Sequence, residues 1–188
     1  MTTEYQKMLN GEWYDANYDT NLIEIRKEAQ DLCYEFNQVR PSHLEKKKAL
    51  LERILDDSPQ NLEIVAPFWV DYGQHIEFGA NVFVNRNSYF MDGNYIKIGD
   101  HTFIGPNCGF YANTHPENVE ERNQGLEKAL PIIIGKNVWL GANVTVLPGV
   151  TIGEGCIIGA GSVVSRDIPK NSVAMGVPCK VVRPVGKN

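Results

Sequence analysis

One histidine lies where a regular repeat in the sequence stops, and it is the residue best suited to acid–base chemistry. The stretch FYANTHP occupies positions 110–116, and His115 stands at the end of a six-residue rhythm of aliphatics and glycines. Imidazole can remove and return a proton near neutral pH, which makes histidine a natural general base. The competing interpretation is a turn residue bonded to backbone, and spacing alone favours neither.

Other catalytic chemistries find less support in the sequence. His43 lies on a predicted helix, His75 precedes the first repeat, and His101 occupies a variable repeat position, so all three are expected to be structural or surface residues. No G-x-S-x-G motif or catalytic cysteine signature occurs, which argues against a nucleophilic triad. A three-histidine zinc site with an H-x-x-x-x-H pair is also not expected, and we predict no metal.

Composition restricts the classes of protein further. The 188 residues fit one domain or one domain with a small appendage. The net charge of −5 implies no general nucleic-acid affinity. No apolar run approaches the ~20 residues that span a bilayer, and the N-terminus lacks a secretory signal. Four scattered cysteines predict reduced thiols and a cytoplasmic protein.

The first third of the chain is predicted to be helical, over residues 3–56. A stripe of apolar residues recurs at spacings of three and four: Leu22, Ile25, Ala29, Cys33 and Phe36. Pro41 ends this helix. Ser42 and Glu45 match a capping box for a second helix, whose buried face is predicted to include Leu44, Leu51 and Leu55.

From Ile76 the period of the sequence changes to six. The clearest block is IGKNVW-LGANVT-VLPGVT-IGEGCI-IGAGSV from Ile134, with IGDHTF-IGPNCG from Ile98 in the same frame and IEFGAN-VFVNRN in a shifted one. This period predicts a parallel β-helix in which three hexads make one triangular coil. The leading aliphatic and the residue four later should point inward, which places Cys108 and Cys156 in the core.

Two features of the repeat carry structural expectations. Glycine after the leading aliphatic suits a corner where φ is positive or where backbones approach closely. Phe110 and Ile134 hold the frame although they are 24 residues apart, so an excursion loop over about 111–131 is predicted. We therefore expect a mainly β fold, with a helical segment over 1–60 and a β-helix domain over 61–188.

The sequence resembles the maltose/galactoside O-acetyltransferase family, the sugar branch of the hexapeptide acyltransferases. The stretches that carry the resemblance are YEFNQVRPS (34–42), DYGQHIEFGANVFVN (71–85), NTHP (113–116), PIIIGKNVWLGANVTVLPGVTIG (131–153) and IGAGSVVSRDIPKNSVAMGVPCKVVR (158–183). The resemblance implies a left-handed β-helix, although general crossover chirality would favour the opposite hand. It also implies a homotrimer, with each active site between neighbouring chains.

The resemblance further implies transfer of an acetyl group from acetyl-CoA, without a metal or an acyl-enzyme. His115 would be the catalytic base, and the Ala142 N–H would stabilise the oxyanion. The implied contacts to coenzyme A are Trp139, Ala142, Ala160, Ser165, Arg166, Lys180 and Arg183.

The acceptor contacts implied by the resemblance are Asn85, Asp71, Asp92 and Asp15. Asp92-Gly93 could instead form a type I′ turn with a solvent-facing acid. Asp71 and Gly93 depart from the galactoside branch, which favours a maltose- or glucose-like acceptor. The alternatives are another small acceptor, such as serine or an antibiotic, and a non-catalytic hexapeptide scaffold.

Overall fold

The computed structural model describes residues 2–187, and its N-terminal part is helical. The helices are α1 (Glu4–Leu9), α2 (Thr20–Gln38), α3 (Leu44–Leu55) and the short α4 (Val119–Asn123). The predicted stripe on α2 is confirmed, with Ile25 only partly buried. No helix within residues 2–187 has the length and apolar character needed to span a bilayer.

The start of α3 differs from the predicted capping box. His43 occupies the N-cap position and its side chain makes no capping hydrogen bond, so the assignment of Ser42 was wrong. The turn after Pro41 is one residue longer than the capping-box pattern assumes. Leu44 is consequently 69% exposed, while the predicted burial of Leu51 and Leu55 is confirmed.

The rest of the fold is built from short strands joined by turns. In chain order they are β1 (Tyr14–Asp15), β2 (Glu63–Ile64), β3 (Phe68–Val70), β4 (Ile76–Phe78), β5 (Phe83–Val84), β6 (Ser88–Met91), β7 (Ile96–Ile98), β8 (Phe103–Ile104), β9 (Gly109–Tyr111), β10 (Asn113–Thr114), β11 (Leu126–Ala129), β12 (Ile132–Ile134), β13 (Trp139–Leu140), β14 (Thr145–Val146), β15 (Thr151–Ile152), β16 (Ile157–Ile158), β17 (Val163–Val164), β18 (Ser172–Met175) and β19 (Lys180–Pro184).

These strands form the three faces of a prism. Face 1 has the order β2-β5-β8-β13-β16-β18, closed by antiparallel β19; face 2 is β3-β6-β9-β14-β17; face 3 is β4-β7-β12-β15. Successive strands in the chain pass from face 1 to face 2 to face 3, and pairing between coils is parallel. The predicted parallel β-helix with an N-terminal helical segment is confirmed.

The interior of the prism is filled as the hexad pattern predicts. Two sets of residues are at most 2% exposed: the leading aliphatics Leu140, Val146, Ile152, Ile158 and Val164, and the positions four later, Val138, Val144, Val150, Cys156 and Ser162. Cys108 is 1% exposed, and burial raises the pKa of its thiol to about 11. The Phe90 and Phe110 rings stack between coils with centroids 4.5 Å apart.

The corner glycines are required for close approach rather than for positive φ. A Cβ on Gly99 would lie 2.6 Å from the carbonyl carbon of Gly135 in the next coil. Positive φ falls two residues later instead, on asparagines such as Asn81 and Asn137. His101 has φ 55° in this same column, so its role is that of a corner residue.

Extra residues accumulate at one corner, between faces 2 and 3. The interior residues Val70 and Phe90 are paired between coils, as are Phe78 and Ile98. Phe78 follows Val70 by eight positions and Ile98 follows Phe90 by eight, whereas a hexad spans six. The predicted shift of register before Ile98 is therefore confirmed. The excursion of residues 112–131 leaves at the same corner one coil later, between β9 and β12.

We expect Gly99→Ala to destabilise the protein more than Gly161→Ala, although only Gly161 has positive φ (73°). The added methyl at 99 meets backbone of the next coil and should cost about 3 kcal/mol. At 161 nothing lies within 4 Å, so only the left-handed conformation costs about 1–2 kcal/mol. Urea unfolding of both variants measures the difference, and equal losses would contradict the role assigned to close approach.

Candidate active site

The excursion is folded back onto the body by a small antiparallel sheet in the order β1-β11-β10. Within it Tyr14 pairs with Glu127, and Asp15 pairs with Leu126. The N-terminal segment therefore supplies an edge strand to the excursion. The residue that follows β10 is His115, so three strands fix its position.

The His115 imidazole has a defined partner for one nitrogen. Nδ1 lies 3.0 Å from the Leu126 carbonyl oxygen, and because a carbonyl only accepts, Nδ1 carries the proton. Nε2 then bears the lone pair and lies 3.7 Å from Oε1 of Glu127. The side chain is 50% exposed, so a substrate hydroxyl can reach Nε2. This arrangement suits a general base.

Glu127 was not found from the sequence. Its Oε2 accepts hydrogen bonds from the Tyr14 hydroxyl (2.9 Å) and from Nδ2 of Asn113 (2.8 Å). Burial, reinforced by the Glu127 charge, raises the pKa of Tyr14. Several acidic residues crowd the excursion, and only the strand pairing of β1 with β11 distinguishes Glu127 from the others.

Asp71 directly follows β3, at the corner between faces 2 and 3. Its Oδ1 accepts a short hydrogen bond from the Tyr89 hydroxyl. Burial raises the pKa of Asp71 to about 6, against the lowering effect of that bond. The centroids of the Tyr89 and Tyr111 rings are 6.0 Å apart. This packing places Asp71 and Tyr89 beside the start of the excursion.

Asp92 lies beneath this surface rather than on it. Its Oδ1 accepts from the N–H groups of Asp71 and Tyr72 (both 2.9 Å), and its Oδ2 accepts from that of Gly73 (2.7 Å). The side chain is 0% exposed, so it cannot touch an acceptor, and the sequence-based assignment needs this correction. The type I′ alternative also fails, since Gly93 has no positive φ.

Asp15 and His75 also have local partners. Oδ1 of Asp15 accepts from the N–H groups of Asn17 (3.1 Å) and Tyr18 (2.9 Å), which holds the turn after β1. His75 is buried, with Nδ1 2.7 Å from the Asp92 carbonyl oxygen and Nε2 2.9 Å from the Tyr5 hydroxyl. Within the single chain, both side chains stabilise segments that surround the site.

A second group of predicted residues lies at the corner between faces 1 and 2. Asn85 follows β5, and its Oδ1 accepts from the Arg86 N–H at 2.9 Å. Ala142 and Ala160 lie at the same corner, each two residues after the end of its strand, β13 or β16. The Ala142 N–H donates no hydrogen bond within the part of the chain that the structure describes.

The remaining predicted contacts lie near the C-terminal end of the prism. Trp139 points outward from face 1 and is 55% exposed. Ser165 and Arg166 follow β17 and are exposed, as are Lys180 and Arg183 on β19. Nη1 of Arg183 donates to the Lys187 carbonyl at 2.8 Å.

A single chain therefore divides the predicted site between two corners of the prism. His115 and Asp71 lie at the corner of faces 2 and 3, whereas Asn85 and Ala142 lie at that of faces 1 and 2. The cavity of about 910 Å³ is elsewhere, between α3 and the first coil, lined by Lys47, Leu51 and Leu62 among others. Residues 2–187 contain no group of three or more His, Cys, Asp or Glu side chains placed to hold a metal ion.

Family profiles match most of the chain. A maltose acetyltransferase hexapeptide capping motif matches residues 7–58, a hexapeptide repeat of succinyl-transferase matches 95–110, and a six-repeat bacterial transferase hexapeptide matches 131–166. A Staphylococcus aureus (strain COL) protein named as an acetyltransferase is 56% identical over 97% of this chain and 92% of its own. A Saccharomyces cerevisiae protein that is also named as an acetyltransferase is 47% identical over 96% of this chain and 92% of its own length.

Solved structures agree with these relatives. A maltose O-acetyltransferase from Clostridium difficile 630 superposes with a TM-score of 0.95 at 38% identity, covering 98% of both chains. A galactoside acetyltransferase in complex with coenzyme A gives 0.91 at 36% identity, covering 99% of this chain and 92% of that one. A Vibrio cholerae hexapeptide-repeat acetyltransferase complexed with acetyl coenzyme A gives 0.90 at 32% identity, covering 98% and 100%.

Fold and site thus define a hexapeptide-repeat acyltransferase. The chain belongs to the maltose/galactoside O-acetyltransferase family and is an acetyltransferase.

We expect Asp92→Asn to lower the free energy of unfolding by about 1–3 kcal/mol, since its amide group cannot accept from all three buried N–H donors. Thermal or urea unfolding measures this. An Asp15→Asn variant is the control, because its turn is bonded through one oxygen alone and that oxygen is retained. Equal stabilities of the two variants would contradict the supporting role of Asp92.

Proposed function

We propose that the protein transfers the acetyl group of acetyl-CoA to a hydroxyl of a maltose- or glucose-like sugar, with His115 as general base. The observation that carries this proposal is the bond from Nδ1 of His115 to the Leu126 carbonyl, which leaves the exposed Nε2 able to accept a proton. The similarity to maltose and galactoside acetyltransferases supports the class of acceptor.

The transfer is direct. Nε2 of His115 removes the proton of the acceptor hydroxyl as its oxygen attacks the thioester carbonyl carbon. The resulting oxyanion receives a hydrogen bond from the Ala142 N–H, an interaction worth roughly 2.7–4 kcal/mol in comparable sites. When the C–S bond breaks, the imidazolium returns the proton to the thiolate of coenzyme A, and the acetyl ester is released.

The two substrates take different parts of the site. Trp139, Ala142 and Ala160 provide a flat surface for the pantetheine arm, and exposed Ser165, Arg166, Lys180 and Arg183 provide a hydroxyl and charges for the phosphates. For the acceptor, Asn85 and Asp71 offer polar groups to sugar hydroxyls, with Asp15 at the margin. Asp92 holds the corner on which Asp71 stands.

A second chain is needed to bring the two corners together, and we propose a homotrimer. In support, face 1 presents an apolar outer column, in which Phe103 (56% exposed) pairs in register with Trp139. Such a surface is typical of an interface. In this assembly the His115 corner of one protomer faces the Ala142 corner of its neighbour, and the excursion forms one wall of the pocket.

The organisation and location of the chain are parts of the same proposal. Residues 1–60 serve as a helical capping segment, and residues 61–188 form the catalytic domain with its excursion near 111–131. The four cysteines are free and buried, which fits the reducing cytoplasm.

We expect His115→Ala to lower kcat by about 10²–10⁴-fold, the range of general-base catalysis. The matched control is His101→Asn, since asparagine takes the same positive φ elsewhere in that column. Thiol release from acetyl-CoA is measured with maltose, glucose, galactosides, serine and chloramphenicol. If the wild type prefers a non-sugar acceptor, that acceptor replaces the sugar in the proposal. If the wild type releases no thiol above background with any of these acceptors, a non-catalytic scaffold is favoured.

We expect two impaired variants, His115→Ala and Asn85→Ala, to complement each other when mixed, unfolded and reassembled. With a shared site, about a quarter of the sites in a 1:1 mixture would combine both intact residues. Thiol release measures the recovery, and each variant reassembled alone is the control. A mixture as inactive as its components would contradict a site built from two chains.

A further inference from the structure

We propose that Glu127 is a positioning residue that holds the His115 imidazole and stabilises its protonated form during transfer. This inference rests on the proposed role of His115 as general base. No residue of the repeat or of the quoted motifs points to Glu127.

The geometry gives the two carboxylate oxygens separate tasks. Oε2 is fixed by the Tyr14 hydroxyl and by Nδ2 of Asn113, at 2.9 and 2.8 Å. Asn113 Nδ2 also donates to the Tyr14 hydroxyl at 3.1 Å, so the three side chains are mutually bonded. Oε1 is left facing Nε2 of His115 at 3.7 Å. Glu127 is only 17% exposed, so its charge is poorly screened by water.

The contact between Glu127 and His115 changes in strength when the imidazole becomes charged during the reaction. While His115 is neutral, the lone pair of Nε2 stays available for the acceptor proton, because the Glu127 carboxylate has no hydrogen to donate to it. Once Nε2 holds the proton, the imidazolium lies beside a fixed anion. The interaction is thus stronger along the reaction than before it, which is the condition for acceleration.

Other charged groups near His115 are less well placed to do this. Asp15 lies across β1–β11 from Leu126, and its Oδ1 is occupied by the Asn17 and Tyr18 amides. Arg122 from α4 donates to the Pro116 carbonyl at 3.1 Å. Within residues 2–187, Glu127 is the carboxylate that comes within 4 Å of the imidazole.

A purely structural role is the alternative, since Glu127 ties the N-terminal segment to the excursion. The experiment therefore uses Glu127→Gln, which keeps an oxygen for Tyr14 and Asn113 but removes the charge. Glu121→Gln is the matched control, because Glu121 is an exposed carboxylate on α4 of the same excursion. Thermal unfolding of both variants is measured beside activity.

We expect Glu127→Gln to lower kcat about tenfold or more, with the KM for acetyl-CoA unchanged. Its unfolding temperature should equal that of the wild type, because an oxygen remains to accept from Tyr14 and Asn113. Glu121→Gln should match the wild type in both respects.

The outcomes separate the inference from the function on which it rests. If His115→Ala is inactive while Glu127→Gln keeps the wild-type kcat, the inference is overturned and the role of His115 as base remains. A loss of kcat together with a lower unfolding temperature would assign Glu127 a structural role only, which also overturns the inference. If His115→Ala retains full activity, the proposed base itself fails.

Discussion

The close stacking of one coil's backbone on the next is the constraint on which the molecule depends. At Gly99 and Gly135 the backbones leave no room even for a methyl group. Residues beyond the hexad must therefore leave the prism at a corner, and here they leave at the corner of faces 2 and 3 on three successive coils. The first two of these coils each carry two extra residues at this corner, and the long excursion of residues 112–131 leaves from the third coil. The polar residues that crowd this corner follow from that arrangement.

A set of hydrogen bonds links the interior of this corner to Glu127, which lies beside His115. Asp92 binds the amides of the coil before it, and the next residue, Gly93, donates its N–H to Oδ1 of Asn113 at 3.1 Å. Asn113 and Tyr14 fix Glu127, which faces His115. The N-terminal helices matter to the site because they carry β1, and through it Tyr14.

The sequence predicted the scaffold far better than the support of the site. A strict period of six determines which side chains point inward, since each hexad adds one strand and one corner. The sequence therefore predicted correctly that two positions of each hexad between Val138 and Val164 are buried. The excursion was predicted from the gap before Ile134, but its internal pairing was not. Antiparallel pairing of β1 with β11 joins residues over 110 positions apart, and no local pattern encodes it.

Errors arose where one residue altered the geometry. Ser42 and Glu45 match a capping box in type and spacing, yet the turn after Pro41 moves the cap to His43. Asp92-Gly93 has the residue types of a hairpin turn, but three backbone N–H groups of the coil below bind the carboxylate and hold it in the interior. Such a competition for donors is visible only once the coils are stacked.

The most direct measurement is a crystal structure of the assembled protein with coenzyme A and an acceptor sugar bound. We expect an acceptor hydroxyl within roughly 2.6–3.2 Å of Nε2 of His115. We also expect the coenzyme sulfur to reach this point from the neighbouring chain, along its Ala142 corner. A structure in which the imidazole faces open solvent, away from both substrates and from any subunit contact, would contradict the proposed shared site.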